Sequence, residues 1–218
     1  MHAETTTTTL TPLLLKDAPA LIETVFPAQK VSFEAQKERK ANLGQTLTGL
    51  GSYWKGRKPL ILVRAVVMGS LLPPTNDARA DLAIFEKLMA FDDEGLARRA
   101  VAAKALTPAE IAGRIELDNP WDYFKAKVQR AGVTGGDIRW MQFPLDVVSE
   151  GITLRWQRHI TDDERLVLYR RALAGLSSYE EKAGISKRPE EVNQDWLYAP
   201  AWAEVNRHYA NLGLDAHS

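Results

Sequence analysis

The stretch 59-PLILVRAVVMGSLLPP-74 decides the fold. Pro59 suits the first position of a helix, and Pro73-Pro74 stops one. Between them residues 60–72 form the longest apolar run of the chain, interrupted by Arg64. Apolar side chains cover nearly the whole circumference, which predicts a central, buried helix. The run is too short for a membrane span, which needs about 20 residues. A guanidinium one turn inside such a helix must be paired or aimed at a bound anion, so Arg64 is a candidate site residue.

Working toward the C-terminus, 77-DARADLAIFEKLMAF-91 places Leu82, Phe85, Leu88 and Met89 on one helical face, and 93-DEGLARRAVAAKAL-106 continues in helical register. Thr107, Pro108 and Glu110 spell a capped helix start, and Thr161 caps 162-DDERLVLYRRALAGL-176. A last helix is expected over 199-APAWAEVNRHYANLGL-214. The one good strand signal is 152-ITLRWQRHI-160, with 138-IRWMQFPL-145 the nearest partner. The expected fold is mainly α, with one small hairpin around 138–160.

Toward the N-terminus, Ser32 can cap a largely polar helix, 33-FEAQKERKANL-43, ending at Gly44. Residues 1–20, with five consecutive threonines, Pro12 and Pro19, read as a weakly ordered tail. Residues 21–106 then form a basic helical module, and residues 107–218 a helical connector with a short β element.

The segment 44-GQTLTGLGSYWKGRKP-59 holds four glycines, two aromatics and three basic residues. It is not a nucleotide loop: Lys and Ser/Thr are out of place for phosphate and magnesium, and no buried strand precedes it. A polyanion surface fits better. Residues 30–64 carry eight basic and two acidic residues, a net +6, whereas residues 65–118 carry six basic and nine acidic, a net −3. The overall neutrality, 28 basic against 28 acidic residues, hides this segregation. Glycines let backbone amides approach phosphate, Tyr53 and Trp54 can stack on bases, and the cations neutralise phosphates. The candidate DNA contacts are Lys37, Arg39, Lys40, Gln45, Thr46, Tyr53, Trp54, Lys55, Arg57, Lys58 and Arg64. The competing readings are a solvated basic face paired with the acids downstream, with Tyr53 and Trp54 packing on the helix that starts at Leu60, and a basic face that meets an acidic protein surface.

Other chemistry finds little support. With no cysteines, thiolate zinc sites, disulfides and cysteine nucleophiles are excluded. His2, His159, His208 and His217 lack metal-ligand spacing. The acids Asp92-Asp93-Glu94 and Asp162-Asp163-Glu164 lie at helix starts, where the helix dipole accounts for them. Residues 118-DNPW-121 resemble an amino-methyltransferase motif but read more simply as a turn with Trp121 packed inward. No glycine-rich S-adenosylmethionine signature and no G-x-S-x-G elbow occur. Without an export signal or a span, the expected location is the cytoplasm, with no membrane partner.

The stretch 26-FPAQKVSFEAQKERKANLGQTLTGLGSYWKGRKPLILVRAVVMGSLLP-73 resembles the N-terminal region of the large adenine-specific DNA methyltransferases of bacterial anti-phage defence islands. The resemblance rests on Phe26, Pro27, Ser32, Glu34, Glu38, Trp54, Arg57, Lys58, Pro59 and Arg64. It continues weakly through 116-ELDNPWDYFKAKV-128, 187-KRPEEV-192 and the last helix. In that family a segment like 204-EVNRH-208 precedes the cofactor-binding glycine motif of the catalytic domain. The resemblance therefore implies a non-catalytic N-terminal part, with no cofactor of its own and S-adenosylmethionine bound by a catalytic domain beyond it. It also implies partners: DNA, the catalytic part, or other defence proteins.

Overall fold

The computed structural model of the chain describes residues 19–43, 59–128 and 152–210. They are mainly helical, with one two-stranded antiparallel sheet. The chain forms two compact units, one of Met1–Met89 with Tyr198–Ser218, the other of Ala90–Leu197.

In the first unit the helices are α1 (Leu21–Thr24), α2 (Ala28–Leu43), α3 (Leu60–Leu71) and α4 (Ala78–Leu88). Residues 198–210 of α9 (Gln194–Ala210) complete it. Helix α2 starts earlier than a Ser32 cap would allow, directly after Pro27. Gly69 lets α3 sit close to its neighbours. A Cβ there would lie 2.9 Å from Ile22 Cβ and 3.1 Å from the Phe85 ring. Ile84 and Leu88 of α4 pack with Val205 and Tyr209 of α9 and against Met68 and Leu72.

Helix α3 occupies the span expected of it, but it is not a buried central helix. Ile61, Ala65 and Gly69 point inward, while Leu60, Val63, Val66, Val67 and Leu71 are exposed. Its inward stripe is covered by neighbouring helices and its opposite face is open. An apolar circumference shows only that burial would be favourable, not that a partner element exists.

The second unit holds α5 (Asp93–Ala103), α6 (Pro108–Arg114), β1 (Phe124–Val128), β2 (Ile152–Trp156), α7 (Asp162–Ala174), α8 (Tyr179–Ile185) and the first residues of α9. Its core gathers Ala97, Ala100, Leu106, Ile111, Phe124, Tyr169 and Leu173. The Tyr169 hydroxyl donates to the Leu106 carbonyl (2.8 Å) and accepts from its N–H (3.2 Å). Burial, the larger effect, pushes that phenol above its usual pKa. Three capping boxes, Thr107/Glu110, Thr161/Glu164 and Ser178/Glu181, start α6, α7 and α8.

Two expectations for this unit need correction. Strand β2 ends at Trp156, and its partner among the described residues is β1, in the register Phe124↔Trp156 to Val128↔Ile152. Residues 138–145 lie outside the described residues. The Gln157 side chain donates to the Trp121 and Phe124 carbonyls, closing the ladder where the alternating pattern would have carried it on. Helix α9 starts at Gln194 instead of Ala199 and runs through Pro200, with the Asn193 side chain accepting from the Trp196 N–H (2.9 Å). Pro200 has no N–H for the Trp196 carbonyl. Arg98 Nη1 donates to that carbonyl instead (2.9 Å), so the acceptor that an interior proline leaves open is satisfied.

Candidate nucleic-acid interface

Helix α2 turns its acids inward and its last cations, Arg39 and Lys40, outward. Buried residues fall at Val31, Glu34 and Glu38, one helical stripe. Ser32, Gln36, Arg39 and Lys40 are exposed, and they follow the spacing of the opposite stripe. Both acids of the +6 segment therefore face inward, and the described solvent face of α2 shows cations without acids. Lys37 is half-buried. At the other end of the helix Lys30 is neutralised by Glu86 at 2.6 Å.

Glu38 has a definite task. Pro59, the N-cap of α3, offers no side-chain cap, and the Glu38 carboxylate accepts from the N–H groups of Leu60 (2.9 Å) and Ile61 (3.3 Å). An acid at a helix N-terminus is favourable both by hydrogen bonding and by the helix dipole. This contact holds the last turns of α2 beside the start of α3, so Arg39 and Lys40 lie at the end from which residues 44–58 depart.

Arg64 is engaged within the fold. Its Nη2 donates to the Leu88 carbonyl at 2.9 Å, and its guanidinium carbon lies 4.0 Å from the Tyr198 ring centroid. Gln45, Thr46, Tyr53, Trp54, Lys55, Arg57 and Lys58 lie outside the described residues.

One polar cluster of this unit carries no short-range sequence signal. Asp81 is buried and accepts from the Thr75 N–H (2.7 Å) and hydroxyl (2.8 Å), and its Oδ1 lies 3.3 Å from His208 Nε2. Tyr209 beside it donates to the Pro73 carbonyl (3.3 Å). Burial first, and then the Asp81 charge, push the Tyr209 hydroxyl up to about 12. Every polar group named here has a partner inside the unit, so the cluster holds the C-terminal part of α9 in place.

The remaining motifs resolve as structure. Asn119 accepts from the Trp121 N–H (3.3 Å) and starts a 3-10 turn, Pro120–Asp122, with Trp121 half-buried. Asp92 caps α5, and the first turn of α7 holds Asp162, Asp163 and Glu164. Among the described residues no three His, Asp or Glu side chains are grouped to hold a metal ion. Nor is any helix among them long and apolar enough to cross a membrane.

None of the curated proteins and none of the solved structures compared with the chain matches it. Residues 25–88, from the residue before Phe26 to the end of α4, match the model of a family described as a protein of unknown function, DUF1156.

Proposed function

We propose that the chain is a non-catalytic, DNA-contacting module of the adenine-specific DNA methyltransferases that it resembles. The match to a family of unknown function covers the same stretch that carries the resemblance, and it leaves the activity open. The observation that carries the reading is the inward turn of Glu34 and Glu38. Both acids are withdrawn from the surface, leaving Arg39 and Lys40 without an acidic neighbour on the described face of α2, at the edge of a basic, glycine-rich segment. In this reading Arg39, Lys40, Arg57 and Lys58 neutralise backbone phosphates, and Trp54 stacks. Arg64 supports the fold of the unit. S-adenosylmethionine belongs to a catalytic domain, and no described residue is assigned a role toward it.

Replacing Arg57 and Lys58 together by Ala should lower the salt dependence of duplex binding by roughly two ion equivalents. An unchanged affinity and slope would remove both residues from the interface.

A second reading, an interaction scaffold within a defence complex, is favoured by the open apolar face of α3. On that reading the basic segment meets an acidic protein surface and duplex DNA is ignored.

A further inference from the structure

Helix α3 has apolar side chains on two faces, and the first unit uses one of them. The other carries Leu60 (62% exposed), Val63, Val66, Val67 and Leu71 (59% exposed), with Ser70 the only polar residue on the arc. A helix face left to water is ordinarily polar. These five side chains present on the order of 400 Å² of apolar surface, the size of the largest patch on a typical monomer, which is often functional. Trp202, half exposed on α9, shares the helical face of Tyr198 and Tyr209 and adds to the apolar surface of this unit.

We propose that this face is the docking surface for a second copy of the chain, α3 against α3, antiparallel about a two-fold axis. The spacing is self-complementary. Leu60, Val63, Val67 and Leu71 recur in steps of three and four, the spacing of an interhelical seam. The set is nearly symmetric about its middle, so Leu60 meets Leu71 of the second copy and Val63 meets its Val67. A two-fold axis requires just such pairing of one patch with itself.

Charge selects the antiparallel direction. The Glu38 contact holds the last turns of α2, with Arg39 and Lys40, beside the N-terminal end of α3, and the C-terminal end of α3 carries the negative pole of its dipole. Antiparallel packing brings the cation-bearing end of one copy toward the negative helix end of the other. Parallel packing would set cations against cations. Two patches of this size, with their polar rims, reach the roughly 1,000 Å² that a specific interface needs.

The chain has no cysteine, so single introduced cysteines report the register cleanly. Sedimentation equilibrium of the full 218-residue chain should give a dimer. Val63→Glu with Val67→Glu should halve the apparent mass while leaving the far-ultraviolet circular dichroism unchanged. Under mild oxidation, a mixture of Val63→Cys and Val67→Cys chains should cross-link more than either alone. A wild-type chain that is monomeric at every concentration would overturn the proposal, as would a dimer that survives the double glutamate substitution. It would also be overturned by a monomeric double variant less stable than a monomeric wild type, which would show the chain covering its own face. A monomer that binds anionic phosphatidylserine vesicles through Val63 and Val67 would assign the face to lipid and overturn it equally.

Discussion

The Glu38 carboxylate on α2 accepts hydrogen bonds from the backbone N–H groups of Leu60 and Ile61 at the start of α3, 22 and 23 residues away in sequence. A negatively charged group thus caps a helix whose own N-cap residue is a proline, and it does so from inside the fold. One side chain both removes an acid from the basic surface and brings the two ends of that basic segment together.

Replacing Glu38 by Ala leaves two donors of α3 without their acceptor, and stability should fall by about 1–3 kcal/mol. Gln keeps an acceptor but loses the charge, so it should fall between Ala and the wild type. Urea unfolding measures both; equal midpoints for all three chains would show that the cap contributes nothing.

Arg64 should behave as a tie within the first unit. Lys cannot reproduce a planar group that both donates to the Leu88 carbonyl and stacks on Tyr198. Arg64→Lys and Arg64→Met should therefore each cost about 1.5–3 kcal/mol. The salt slope of duplex binding should stay as it is. A slope lower by about one ion equivalent, with stability intact, would return Arg64 to the interface.

Gly95 sits where a Cβ would come within 2.7 Å of Ala90 Cα and 2.8 Å of the Ala90 carbonyl carbon, both backbone atoms. Ala90 itself has a positive φ of 54° and cannot yield cheaply. Gly95→Ala should cost about 1–3 kcal/mol in thermal or urea unfolding, despite the better helix propensity of alanine. A stabilised Gly95→Ala chain would contradict this geometry.

Acid should weaken the second unit. Glu110 and Glu164 are held below the ordinary glutamate pKa, first by the N–H and then by the hydroxyl of their capping threonines. Glu181 is held down first by the Ser177 hydroxyl and then by the backbone of Ser178 and Ser177. A depressed folded-state pKa contributes stability that is present above the unfolded value and is lost as pH falls through the folded one. The urea midpoint should therefore drop between pH about 5 and about 3, and Glu110→Gln should flatten the decline. A midpoint constant over that interval would deny these carboxylates their role.

These capping boxes also mark what a sequence displays openly. Thr107 to Glu110 and Thr161 to Glu164 are local, because cap and acceptor lie three residues apart and need no tertiary partner. The Ser178/Glu181 box has the same local signal. Strand β1 alternates Phe124, Ala126 and Val128 with Lys125 and Lys127 over five residues, too short a run to stand out before its partner is known. Helix α9 hides its start because Pro200 looks like a first helical position, and the donor that satisfies the carbonyl it leaves open, Arg98, lies about a hundred residues earlier.

The candidate site divides in the same way. The basic surplus of residues 30–64 is plain in the chain, as is the demand that Arg64 be paired. The inward turn of Glu34 and Glu38 and the open face of α3 are not, since both depend on which neighbours cover which stripe of a helix. Periodicity names the stripes; packing decides which one is buried.

The most direct test of the proposed function is fluorescence anisotropy of a labelled duplex titrated with the full chain at several salt concentrations. The account predicts binding to unrelated duplexes that weakens steeply with salt, with a slope lowered by roughly two ion equivalents when Arg39 and Lys40 are both replaced by Ala. No binding at low salt, or binding indifferent to salt and to Arg39 and Lys40, would contradict it.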